Sequence, residues 1–381
     1  MSFYQSKGLI PNKRHTIFKK DADSIYYEEL ISRKGFSGIY SNAYHLRMPT
    51  KINKLGKIYP INIKSIKGKH QARHLQTQII SNQGDIIYDR IPLMFNEDLI
   101  IYKAHVNTNM DSFYRNAHFD EMFYIQSGSG TLFTNFGNLQ LNRGDYVIIP
   151  SGVIWNLEIE SSMNILIVES KGSIETPSRY RNEFGQLLEH SPFCERDIKT
   201  PELQSPVDLQ STFKINVRTI NGLQEMYYNH HPFDLIGWDG YYFPWVFNIN
   251  DFEPITGSIH QPPPVHQTFK SDGFVICSFV SRMFDYHNDA IPAPYPHSNV
   301  DSDEVIFYSK GDFMSRKGIG LESITYHPMG LPHGPQPGKY EASIGKKWTD
   351  ELAVMIDTFK PLFITQNAID IEDKKYYLSW L

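Results

Sequence analysis

Residues 120–128 read DEMFYIQSG and residues 303–311 read DEVIFYSKG, and this recurrence decides the fold. In each copy Asp-Glu opens an apolar run, and a Gly stands seven residues after the Glu. The copies stay in step downstream. Pro150-Ser151-Gly152-Val153-Ile154-Trp155 in the first parallels Pro328-Met329-Gly330-Leu331-Pro332-His333 in the second. Each is a P-x-G turn followed, three residues after the Gly, by one singled-out position. Two blocks in the same order, twice in one chain, mark a duplicated unit.

Working outward, runs of β-branched and aromatic residues recur between Gly, Asn and Pro punctuation, which predicts short strands joined by tight turns. Strands are expected at Ile79-Ile80, Ile86-Ile87-Tyr88, Leu99–Tyr102, Phe274–Val280 and Leu352–Thr358, where alternation favours strand over helix. The fold class is therefore all-β dominated. The chain's 381 residues suit two domains of roughly 150–200 residues better than one core. Residues 1–60 read as a polar N-terminal extension that packs on the rest of the chain or on a neighbouring subunit, and 171–215 as an irregular connection. The expected division is 1–245 for the extension and first β domain, and 246–381 for the second.

Composition narrows the function. A net charge of −5 gives no basic footprint for nucleic acid. Two cysteines, Cys194 and Cys277, supply neither a disulfide framework nor a thiolate metal site. The N-terminus shows no signal-peptide pattern, and no apolar run of about 18 residues predicts a membrane span. A soluble, cytoplasmic protein is expected.

Metal-capable residues fall in the second copy. His297 stands seven residues before Glu304, and His333 follows the turn. The corresponding first-copy positions are Tyr114 and Trp155, neither of which replaces imidazole. Two neutral imidazoles and one carboxylate bind a divalent metal on one face and leave positions open opposite, as in non-haem iron(II) oxygenases. Alternation along barrel strands lets such ligands converge on the interior. A single His or Glu is more often a hydrogen-bonded or surface residue, so the weight rests on the three together.

The paired motifs resemble those of the cupin superfamily, implying two cupin-like β-barrel or jelly-roll domains, the first structural and the second metal-bearing. A closer resemblance joins YPHSNVDSDEVIFYSKG and ITYHPMGLPHGP with GLIPNKRHTIF, FNINDFEP, GDFMSR and ELAVMIDTF. Together these resemble homogentisate 1,2-dioxygenases, particularly their shorter bacterial branch. The resemblance implies Fe(II) held by His297, Glu304 and His333, with a small aromatic substrate and O2 as reactants in tyrosine and phenylalanine catabolism. It makes His260 a catalytic base, with neighbouring His266 competing for the place. It puts Asn299, His327, Arg316 and Phe313 at the substrate, and implies a homo-oligomer, a trimer or hexamer.

The sequence departs from that family where a Tyr and a Lys are expected and Phe313 and Arg316 stand. Arg316 can pair with a carboxylate in a bidentate geometry, whereas Phe313 lacks the hydroxyl. The His–Glu spacing is also one residue longer than expected. Gentisate, hydroquinone or another para-diphenol therefore remain open as substrates, as does a non-catalytic metal-binding cupin.

Overall fold

The computed structural model describes residues 3–310 and 313–381, so the motif glycine Gly311 lies outside the described residues. Among those described, the chain is all-β apart from a five-residue helix, Gln366–Asp370, and short 3-10 turns. A 13-stranded sheet is built around the long strands Asp120–Thr134 and Ile154–Ser170, which pair antiparallel. A six-stranded sheet runs in the order Gln267–Lys270, Phe274–Phe279, Leu352–Thr358, Asp303–Lys310, Ser323–His327, Arg73–Gln76. Its last strand comes from far upstream, so this sheet is not contiguous in sequence. The extension contributes Gln5–Gly8, Tyr27–Ser32 and Tyr40–His45, which join Leu235–Gly240 in a four-stranded sheet.

The repeat is realised as matching hydrogen bonds. Asp120 accepts from the Ser151 backbone N–H at 2.9 Å, and Asp303 from that of Met329 at 2.7 Å. Gly152 N–H donates to the Asn116 carbonyl at 2.7 Å, and Gly330 N–H to that of Asn299 at 2.6 Å. The Asp of each opening pair thus clamps its own P-x-G turn, which fixes where the next strand enters. Both glycines have positive φ, +88° and +78°, which a side chain would strain. Cross-strand register carries the parallel further, because Trp155 faces Tyr114 as His333 faces His297. Likewise Glu169 faces Glu121, and Asp357 faces Glu304.

The expected strands at Leu99, Phe274 and Leu352 form, but those at Ile79-Ile80 and Ile86–Tyr88 do not. Thr77–Ile79 is a 3-10 turn. Asp85 accepts from the backbone N–H groups of Ile87 at 2.6 Å and Tyr88 at 3.1 Å, closing a side-chain-capped turn that competes with extended pairing.

One continuous apolar core runs through both large sheets, from Phe123, Tyr124 and Trp155 to Phe269, Phe307 and Val354. Buried hydroxyls fasten the sheets together inside it. Tyr124 donates to Ser309 at 2.7 Å, and the hydroxyls of Tyr146 and Ser278 are 2.9 Å apart. Satisfying these groups internally avoids the cost of burying a lone hydroxyl.

Candidate metal centre

Glu304 is the second residue of the Asp303–Lys310 strand and faces inward, nearly inaccessible to solvent. His297 and His333 sit on segments that exchange backbone hydrogen bonds of 2.8 and 2.9 Å, so the two imidazoles are held side by side, with centroids 4.3 Å apart. One ligand atom from each of His297, Glu304 and His333 lies within 4.8 Å of the others.

The ring nitrogens show what this arrangement can hold. His297 Nδ1 lies 3.1 Å from the Tyr295 carbonyl, and His333 Nδ1 lies 3.2 Å from that of Leu331. A carbonyl only accepts, so each Nδ1 carries the hydrogen and each Nε2 presents a lone pair. Those Nε2 atoms approach Glu304 at 3.8 and 3.5 Å, and His333 Nε2 is buried with no hydrogen-bond partner among the described residues. An orphaned buried acceptor beside a carboxylate and a second lone pair is what a divalent metal satisfies, and an N/O donor set of this kind fits one. Burial raises the Glu304 carboxyl, but the imidazoles of His297, His327 and His333 gathered around it outweigh this and hold the group well below the usual carboxylate range. It is therefore available as an anionic ligand at neutral pH.

A cavity of about 400 Å³ opens beside the cluster. His260, Asn299, Phe313 and Arg316 line it together with His297 and Glu304. His327 is placed differently. It lies on Glu304 rather than on the cavity wall, and its ring is stacked 4.6 Å from that of His333. His260 and His266 both reach the cavity, but in different surroundings. Burial, reinforced by Arg282, lowers the His266 pKa to about 3, so that ring stays neutral. His260 is half exposed, with Asp285 3.6 Å from its Nδ1. Asn299 contributes its carbonyl to the Gly330 turn, and Phe313 packs edge-on to Tyr308 at 4.4 Å.

Several residues at the site went unpredicted. Asp357, across from Glu304, could have been found by aligning ILIVES at 165–170 with AVMID at 353–357, which matches Glu169 to it. Burial, together with the Glu304 charge, raises its carboxyl. Tyr376 and Trp380 reach the site from the last residues described, and no local pattern marks them. Tyr376 donates to His327 Nε2 at 3.3 Å, and Trp380 Nε1 donates to the Gly334 carbonyl at 3.2 Å.

The first barrel shows what replaces a metal. Arg90 places its guanidinium 2.9 Å from Glu121 and donates to the Tyr114 hydroxyl at 3.0 Å. Arg218 bonds both oxygens of Glu169 at 3.2 Å. Two buried cations balance two buried carboxylates, and Trp155 fills the position of the second imidazole.

Comparison with known proteins adds three findings. The family model described as "Homogentisate 1,2-dioxygenase N-terminal" matches residues 87–249. A Saccharolobus solfataricus protein named "Putative dioxygenase" is 44% identical over 384 residues, covering 100% of this chain and 99% of that one. The homogentisate 1,2-dioxygenase of Bradyrhizobium diazoefficiens is 27% identical over 288 residues, 70% of this chain and 62% of its own, so the match spans about three-fifths of that relative. Among solved structures, a cupin 2 conserved barrel domain protein from Leptotrichia buccalis aligns with a TM-score of 0.36 and 9% identity, over 79% of this chain and 100% of that one.

Proposed function

Since the chain belongs to the homogentisate 1,2-dioxygenase-like family of cupins, we propose that it is an iron(II) dioxygenase that opens the ring of homogentisate with O2 to give 4-maleylacetoacetate, within tyrosine and phenylalanine catabolism. The observation that carries this reading is the convergence of His297, Glu304 and His333 within 4.8 Å at the edge of a cavity large enough for a small aromatic. Iron(II) held by these three side chains would supply the electron transfer between an electron-rich ring and O2.

The chain's own residues do the rest. His260 receives the proton of the ring hydroxyl, with Asp285 behind its Nδ1 to stabilise the imidazolium. His266 is kept neutral and serves as a wall. Phe279, Phe284 and Met355 give the cavity an apolar lining that excludes water from the reacting ring. A division into a metal-free first barrel and a working second one is supported by the Arg90 network in the first and the lone pairs in the second. Cytoplasmic location and trimeric or hexameric assembly belong to the same reading.

The test is O2 consumption by protein reconstituted anaerobically with Fe(II), then mixed with homogentisate and, separately, with gentisate. Rapid uptake with homogentisate and a ring-opened product is expected. Uptake with gentisate alone moves the substrate, and one bound iron per chain without uptake on either diphenol defeats the catalytic reading.

A further inference from the structure

The cavity beside the candidate metal centre carries two guanidinium groups that its own acids, Asp285, Glu304 and Glu351, do not contact as ion pairs among the described residues. Arg282, on the short strand Arg282–Met283, and Arg316 both line it. Among the described residues, neither guanidinium forms an ion pair within 4.0 Å. A half-buried cation with no anion in direct contact is under-compensated, so a ligand carboxylate that reaches the guanidinium makes a contact that these wall acids do not.

The two arginines differ in what holds them. Arg316 is buried and fastened: its Nη1 donates to the Gly334 carbonyl at 2.6 Å, one residue beyond His333. Its guanidinium stands 6.0 Å from the Trp380 ring centroid, and its Nε is sealed from solvent without an acceptor among the described residues. Those contacts tie the His333 turn to the last residues of the chain. Arg282 is half-buried, and its one hydrogen bond among the described residues is from Nη1 to the Val280 carbonyl at 3.2 Å. Its other donors have no hydrogen-bond partner among the described residues, and its guanidinium lies 5.7 Å from the Phe284 ring, which also lines the cavity. Glu351, a nearby acid, instead accepts from the Met314 backbone N–H at 2.6 Å. Burial lowers the Arg282 pKa despite Glu351 and Asp285, in keeping with a charge that is under-compensated.

We propose that Arg282, and not Arg316, is the carboxylate anchor of the cavity. It receives the acid group of an aromatic acid whose ring hydroxyl faces His297, Glu304 and His333. A free guanidinium fork matches a carboxylate with two parallel hydrogen bonds, a geometry that lysine does not reproduce. Arg316 is a positioning residue that holds the His333 turn through Gly334. The assignment rests on the aromatic-substrate reading above and adds to it the residue that selects an acid over a neutral diphenol.

The experiment is calorimetric titration of the full-length chain with 4-hydroxyphenylacetate and with the matching neutral amide, in wild type, Arg282→Gln, Arg282→Lys and Arg316→Gln. Wild type should prefer the acid by about tenfold or more, the scale of one charge-assisted contact. Arg282→Gln should lose that preference while binding the amide as wild type does, and Arg282→Lys should fall between. Arg316→Gln should keep the acid preference and instead lower the metal content of reconstituted protein. Acid preference that survives in Arg282→Gln, or is abolished only in Arg316→Gln, overturns the assignment and leaves the ring-cleaving reading standing. If Arg282→Gln does not fold, Arg282→Lys with undiminished acid preference and affinity overturns it equally. Binding of neither compound by wild type overturns both readings.

Discussion

Glu304 is oriented from behind by His327, whose Nδ1 donates to one carboxylate oxygen at 2.7 Å. Burial lowers the His327 pKa to about 4, so the ring is neutral and carries a single hydrogen. Because Glu304 only accepts, that hydrogen sits on Nδ1 and leaves Nε2 to accept from the Tyr376 hydroxyl. The chain Tyr376–His327–Glu304 thereby fixes the carboxylate's orientation, with Oε1 toward His333 and Oε2 toward His297. Removing an outer-shell partner of this kind typically costs metal affinity by about 10- to 100-fold. His327→Phe should weaken metal binding by that factor in competition with a chromogenic chelator, and Tyr376→Phe by less. Glu304→Ala should reduce bound metal from one per chain to near none by elemental analysis, with turnover lost alongside it. Near-normal metal content in Glu304→Ala would remove the carboxylate from the ligand set.

At the level of strands, the two halves solve one electrostatic problem in two ways. Glu121 and Glu169 face each other across strands, as Glu304 and Asp357 do, and in the first barrel Arg90 and Arg218 neutralise them. Breaking a buried pair by deleting one partner costs about 3–5 kcal/mol, so Arg90→Met should lower unfolding stability by that amount in a denaturant titration without changing metal stoichiometry. A second device ties the extension to the body. On the strand Tyr40–His45, His45 lies 2.7 Å from Asp234 and 3.0 Å from Glu29. Burial opposes its charge, but these two acids raise its pKa to about 9. A raised folded-state value stabilises fully below the unfolded value near 6.5 and loses that contribution as pH rises through 9. At most about 3 kcal/mol is at stake. The melting temperature should therefore fall between roughly pH 6.5 and 9, and His45→Gln should flatten that slope; an unchanged slope would exclude His45 as its source. Much of this scale was legible in sequence: the DE and P-x-G blocks placed the inward strand and the turn before His333, because local pattern encodes both. Arg90 and Asp234 were not legible, since their partners lie tens or hundreds of residues away and charge pairing has no sequence period. The strand expected at Ile86 failed because Asp85 offers the backbone a competing side-chain acceptor, while the Ile79 segment closes a 3-10 turn over Thr77–Ile79 instead.

Across the whole molecule, the two large sheets share one core, and a charged contact crosses it. Lys103, on Leu99–Val106 of the first sheet, has no exposed surface, and its ammonium lies 3.0 Å from Glu322. Glu322 immediately precedes the Ser323–His327 strand of the second sheet, and Asn164 also donates to it at 3.1 Å. Burial lowers the Lys103 pKa even with Glu322 beside it, so the ammonium depends on that one carboxylate. Glu322→Ala would leave the cation enclosed and unpaired, which predicts a loss of about 3–5 kcal/mol. Alanine is the suitable replacement because Glu322 has a φ of +61°, and glycine would relieve backbone strain at the same time. Since core packing and the Tyr124–Ser309 and Tyr146–Ser278 contacts couple the sheets, the loss should appear as one calorimetric transition displaced to lower temperature, not as two separated ones. Replacing both partners in Lys103→Met/Glu322→Met removes the stranded charge, and burying matched apolar groups in place of an ion pair is often neutral or stabilising. The double variant should then recover most of the stability that Glu322→Ala loses. A double variant as unstable as the single one would mean that Glu322 acts through Asn164 and His105, and not through Lys103.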